Sequence, residues 1–170
     1  MCEGKTWDEV IEGYQDRIER NGFTKLLIEP DLDDPVWMYT IGLTEQGHPE
    51  LCLEGIPREI CGVILEELGR RVVQGERFDL PRFFGGEALL VHGLYVHAKP
   101  ADGERWEDGK FNHLIGYYVE WLEEEPTPPL AAVEITVCGS ETVGYWDSPG
   151  PRMNRTQRRA RMRGRLRSVT

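Results

Sequence analysis

His48 and Glu50 stand two residues apart in Gly47-His48-Pro49-Glu50, with Tyr39 and Thr40 a short way upstream. An imidazole titrates near neutral pH and a carboxylate beside it can orient it, which is the minimum for a general acid/base pair. Together Tyr39, Thr40, His48 and Glu50 define a candidate ligand pocket. A structural reading competes with it: Gly47 and Pro49 are turn residues, and His48 can simply bond the nearby backbone. Neither a nucleophile nor a metal ligand stands next to the pair in sequence to complete a catalytic set.

Other chemistry-bearing residues are scattered. Imidazole suits transition metals, but His92 and His97 are five apart and fall on opposite faces of one regular strand, and no second ligand lies at i+4 from His113. Cys2, Cys52, Cys61 and Cys138 form no CxxC pair and no zinc spacing, so they read as unbridged thiols. Asp31, Asp33 and Asp34 lack the glycine and distal glutamate of a calcium loop, and Phe83-Phe84-Gly85-Gly86 lacks the lysine and helix start of a phosphate loop. The sequence therefore assigns no metal and no cofactor.

The strongest signal is charge. Arg152, Arg155, Arg158, Arg159, Arg161, Arg163, Arg165 and Arg167 crowd into residues 151–170, which hold no acid. The other 150 residues carry twelve basic against thirty acidic side chains, a formal charge of −18, so the net −10 joins two opposed parts. Clusters of this kind resemble the arginine-rich motifs with which phage and viral proteins bind RNA, because the guanidinium fork matches phosphate and such segments fold on contact. Arginine does not discriminate among polyanions, however. An acidic protein surface, the chain's own body included, is the alternative partner, and a plain solubilising tail is the third reading. The acidic body in turn suits a basic protein partner.

The positioning elements follow from periodicity and punctuation. Thr6-Trp7-Asp8-Glu9 has the form of a capping box, and Val10, Ile11, Tyr14 and Ile18 make a helix over 7–21 that stops at Asn21-Gly22. Strands are expected at 23–29, 37–43 and 50–54, the last two joined by a turn over 44–49. Pro57 opens a second helix with Ile60, Val63, Ile64, Leu68 and Val72 as its apolar stripe. Runs at 88–92 and 94–99 are either a hairpin about Gly93 or one bent strand. A third helix carries Phe111, Leu114, Ile115, Tyr118 and Leu122 inward, and a final strand spans 131–138. The fold class is α+β: a mixed, mainly antiparallel sheet with about three packed helices, plus a basic C-terminal tail. Residues 1–148 form the acidic domain and 149–170 the tail, flexible or helical on binding.

With 170 residues and 39% hydrophobic content the chain can bury a core without disulfides or metal. No run approaches the roughly 20 apolar residues of a membrane span, and Met1 to Lys5 leads into an amphipathic helix rather than an apolar signal core. A cytoplasmic location is the expectation.

Trp37-Met38-Tyr39-Thr40-Ile41-Gly42-Leu43, then Gly47-His48-Pro49-Glu50-Leu51 and Gly55-Ile56-Pro57, resemble the domain of unknown function 4262 family of bacteria and their phages. That family carries Y-T-[IV]-G-L and G-H-P-E-L motifs. Gly75-Glu76-Arg77-Phe78 fits its G-x-x-F stretch, and the resemblance is specific over residues 36–79. The family's closing Trp-Pro-Asp strand end is replaced here by Val133 to Cys138, and the resemblance implies no reaction. Two function classes remain: a non-enzymatic accessory or regulatory protein, phage-derived on the resemblance, whose tail binds nucleic acid, RNA or ribosome rather than DNA; or a small enzyme or ligand-binding domain at Tyr39, Thr40, His48 and Glu50.

Overall fold

Thr6 starts the fold through a reciprocal cap: its hydroxyl accepts from Glu9 N at 3.3 Å, and the Glu9 carboxylate accepts from Thr6 N at 2.7 Å. Helix α1 (Trp7–Asn21) follows and ends at Gly22, whose φ of 81° lets its N–H reach Ile18 O at 2.7 Å. These elements come from a computed structural model that describes residues 4, 6–28, 36–79, 87–101, 111–121 and 130–140.

After α1 come β1 (Thr24–Ile28), β2 (Trp37–Ile41), a 3₁₀ turn (Thr44–Gln46), β3 (Glu50–Glu54) and α2 (Arg58–Val73). Strands β4 (Leu89–Val91) and β5 (Leu94–Pro100) form a hairpin, with His92 at φ 48° and Gly93 at φ 76°. Two positive-φ residues at the tip match the twist of the flanking strands. Helix α3 (Asn112–Ile115) runs on as a π-helix (Gly116–Trp121), and β6 (Ala132–Ser140) closes the described fold.

The six strands form one sheet in the order β1-β2-β3-β6-β5-β4, antiparallel at every junction except the parallel pair β3–β6. The architecture is α+β. Strand β2 is interior and buried along its whole length, but the midline falls between β3 and β6, so the last strand joins two halves of the sheet.

The strand period of two sorts the core into layers. Met38, Leu51, Leu53, Val96, Val133 and Ile135 pack under α2, against Ile64, Leu65, Leu68 and Val72. Trp37, Tyr39, Ile41 and Cys52 face the other way, against Ile11, Tyr14 and Ile18 of α1 and against Phe111, Leu114, Tyr117 and Tyr118.

Three expectations need correction. The buried stripe of α2 is Cys61, Ile64, Leu65, Leu68 and Val72, whereas Ile60 and Val63 remain 39% and 48% exposed. The i, i+3, i+4, i+7 set that starts at Cys61 is apolar throughout, whereas the one that starts at Ile60 ends on Glu67. Strand β2 ends at Ile41 rather than Leu43, since Gly42 turns at φ 113°. The third helix widens to π geometry at Gly116, which apolar spacing alone does not announce. Leu122, Asp31 to Asp34, the Phe83 to Gly86 segment and the arginine-rich segment lie outside the described residues.

A Cβ at Gly69, on the buried face of α2, would overlap the ring of buried Phe23, while one at Gly62 on the same helix meets nothing within 4 Å. Gly69→Ala is expected to cost about 1–3 kcal/mol through overpacking. Gly62→Ala is expected to gain about 0.5–1 kcal/mol through backbone entropy. Paired denaturant melts check both signs.

Candidate functional site

The sequence motif of β2, its turn and β3 builds a buried polar network. The ladder runs Trp37↔Glu54, Met38↔Leu53, Tyr39↔Cys52, and then Thr40 interrupts it. The Thr40 hydroxyl accepts from Leu51 N at 2.8 Å and donates to Glu50 Oε2 at 2.6 Å, standing where a backbone carbonyl would otherwise bond. Gly42 then bends the chain; a side chain there would press on Ile18 and on the Phe23 backbone. The 3₁₀ turn closes through Gly47 N to Thr44 O and His48 N to Leu43 O.

This path aims donors at one carboxylate. Glu50 has no exposed surface, and its Oε1 accepts from Gly42 N, Thr44 N, the Thr44 hydroxyl and the Tyr118 hydroxyl, each at 3.0 Å. The Gly42 N–H is shared with the Tyr118 oxygen at 2.9 Å. Among the described residues no lysine, arginine or histidine bonds to Glu50, so amide dipoles and hydroxyls hold its charge. Burial pushes the Tyr118 phenol far above its ordinary range, and the neighbouring Glu50 adds to the effect, so Tyr118 acts as a fixed donor.

His48 is also fully buried, and it faces away from Glu50. Its Nε2 accepts from Phe78 N at 2.9 Å, which puts the proton on Nδ1, 2.6 Å from Pro49 O. Both ring nitrogens are thus occupied by backbone and the imidazole is neutral. Burial lowers its pKa, opposed in part by the Pro49 carbonyl and by Asp79, whose Oδ1 is 3.9 Å from Nε2. Arg77 grips Asp79 with two bonds of 2.9 and 2.6 Å and holds that carboxyl below its ordinary value.

Thr40, His48 and Glu50 therefore cluster at one hairpin tip, but in two adjoining buried networks. Tyr39 belongs to neither: it points into the layer under α1 and α3, beside Trp37 and Phe111, with burial raising its phenol. A cleft of about 170 Å³ opens next to His48, lined by Thr44, Gly47, Pro49, Arg77 and Asp79. Ordinary small-molecule pockets run to roughly 300–1,000 Å³. A wider groove of about 350 Å³ lies between the end of α1, the 3₁₀ turn and Tyr117.

Sequence reasoning missed Gly42, Thr44 and Tyr118 as partners of Glu50. The alternation Thr40-x-Gly42-x-Thr44 ahead of a glutamate is a local signal for the first two; Tyr118 lies 68 residues away and leaves none. The other histidines do not converge. His92 is in the β4–β5 turn, His97 is on β5, and His113 packs on Trp7 with its Nδ1 3.2 Å from the Tyr14 hydroxyl. Among the described residues, no group of three His, Cys, Asp or Glu side chains is arranged to hold a metal. Cys52 and Cys61 are buried and unbridged, and burial pushes the Cys61 thiol up to about 11, away from nucleophilic use. Among the described residues no helix is long and apolar enough to cross a membrane.

The family described as Domain of unknown function (DUF4262) matches residues 17–118, which takes in every member of the Glu50 network. No curated protein and no solved structure matches the chain.

Two outcomes follow for the network. Tyr118→Phe removes one donor to a buried carboxylate and is expected to cost about 1.5–3 kcal/mol, whereas Glu50→Ala strands several buried donors at about 1–3 kcal/mol each and is expected to abolish cooperative melting. Because the folded pKa of His48 is depressed, its contribution to stability is present above the ordinary imidazole value and is lost as pH falls toward the depressed one. Melting temperature should therefore fall more steeply below about pH 6.5 in the native chain than in His48→Gln, as thermal scans from pH 5 to 8 would read.

Proposed function

The chain belongs to the DUF4262 family, whose description names no reaction, and from its division of charge we propose a non-enzymatic accessory or regulatory protein that uses its arginine-rich segment to bind nucleic acid, RNA in preference to DNA. The acidic body supplies a face for a basic protein partner. The observation that carries the reading is the segregation of eight arginines into residues 151–170, without one acid, beside a body of formal charge −18. A body that acidic repels phosphate and steers it onto the one basic segment.

Support comes also from where the family match stops. It covers residues 17–118, so the clustered arginines lie outside the matched region, as β6 also does. The burial of the hairpin tip points the same way: Thr40, His48 and Glu50 have no exposed surface and spend their polar atoms on backbone and on neighbouring buried hydroxyls. A second reading, a small enzyme or ligand-binding domain at Tyr39, Thr40, His48 and Glu50, is favoured by one observation, the cleft beside His48.

Fluorescence anisotropy with labelled single-stranded RNA and duplex DNA tests the proposal. If four to six phosphates are engaged, log K for RNA should fall with log salt at a slope of about −3 to −4. Changing all eight tail arginines to Gln should abolish binding without lowering the melting temperature. Absence of binding to either nucleic acid at low salt would sink the reading.

A further inference from the structure

Tyr95 and Trp7 are equally exposed aromatic residues, each at 40%, but only one of the two rings is engaged. Trp7 packs on His113 with ring centroids 5.1 Å apart and lies where a Cβ at Gly116 would fall. Among the described residues the Tyr95 ring meets no other aromatic ring and its hydroxyl has no hydrogen-bond partner, while its backbone carbonyl accepts from the Cys138 thiol at 3.1 Å.

Strand register leaves that ring bare. Leu89, Val91, Val96 and Ala98 turn toward α2 and are buried there. Leu90 and its cross-strand partner Tyr95 turn to the opposite face, where Leu90 is 43% exposed. The partner of Tyr95 on β6 is Gly139, which has no side chain to lay over the ring. The layer that α1 and α3 form on this face packs on β2 and β3 and, among the described residues, holds none from β4 or β5.

The charge around the ring is also distinctive. Residues 88–100, which supply both strands of the hairpin, hold no aspartate or glutamate, although the first 150 residues hold thirty. The one acid of β6, Glu134, is bonded by Lys99 at 3.1 Å. Ser140, the end of β6, pairs in register with Leu94, so the chain leaves the sheet beside this hairpin. Arg152 follows twelve residues later, a stretch that spans up to about 40 Å when extended.

A flat ring with a free face, on an acid-free hairpin at the origin of a basic segment, suits an unstacked nucleobase. Every base has a π face, and stacking on an aromatic side chain needs no particular sequence. We propose that Tyr95, bordered by Leu90, is a stacking platform for an unpaired base of single-stranded RNA whose phosphates the arginine-rich segment holds. The platform rests on the nucleic-acid reading above and adds a preference to it: a duplex keeps its bases stacked on one another and has none to offer.

Fluorescence anisotropy with a short single-stranded RNA, and with the same sequence annealed to its complement, reads the ring apart from the charge. Tyr95→Ser should weaken single-strand binding about five- to hundredfold, the loss of one stacked base. The slope of log K against log salt should keep its native value, because no phosphate contact is removed. Duplex affinity should be unchanged, and Tyr95→Phe, which keeps the ring, should bind as the native chain does. Irradiating the strand with thiouridine incorporated should attach it to the peptide that contains Tyr95. Native single-strand affinity in Tyr95→Ser, an equal loss on the duplex, or crosslinks confined to the arginine-rich segment would overturn the platform and leave the nucleic-acid reading standing. No binding of the native chain to any RNA, even at low salt, overturns both.

Discussion

A carboxylate with no solvent contact and, among the described residues, no bonded cation must be surrounded by donors, and that requirement shapes the hairpin around Glu50. Leaving such a charge unpaired costs several kcal/mol, whereas each hydrogen bond to it returns about 1.5–3. The backbone from Thr40 to Thr44 is bent to deliver two amides and two hydroxyls, and Tyr118 comes in from the other side of the molecule to complete the set. Because the bend is fixed, Gly47 and Pro49 fall where His48 turns inward and takes the Phe78 amide. One charge thus ties β2, the 3₁₀ turn, β3 and the π-helix to a common point.

What could be read from the sequence was what local chemistry decides. The capping box at Thr6 and Glu9, the left-handed stop at Gly22, the break at Gly93 between two strand runs and the inward alternation of Val133 and Ile135 all rest on residues within a few positions of one another. His48, Glu50 and Thr40 were legible as a cluster for the same reason. Their division into two networks was not, because it depends on Phe78 and Tyr118, at separations of 30 and 68 residues. Tyr39 shows the limit most simply: adjacent to Thr40 in sequence, it faces the opposite layer by the period of a strand. The expected stripe of α2 held at Ile64, Leu68 and Val72, but Cys61 and Leu65 are buried in place of Ile60 and Val63.

The family match and the charge division describe two different parts of the chain. Residues 17–118 contain α1 from its third turn, the whole Glu50 network and the Tyr117–Glu45 contact, whereas β6 and all eight clustered arginines fall outside. The matched region and the basic segment are separate in sequence, and they carry opposite net charge.

Strand β6 is made after the other described strands and sits in the middle, bonded to β3 on one side and β5 on the other. The meander β1-β2-β3 and the hairpin β4-β5 are local structures, but neither has its neighbour until residue 132 and beyond have been synthesised. The parallel pairing of Glu50 with Ala132 closes a loop of some 80 residues, a non-local step whose entropy is lost before its contacts are gained. Until then two apolar sheet edges face each other across a gap, a condition that invites mispairing and slows folding. The same placement has a mechanical side. The arginine-rich segment follows β6 in sequence, so tension on it passes down the chain to the strand that splices the two halves of the sheet.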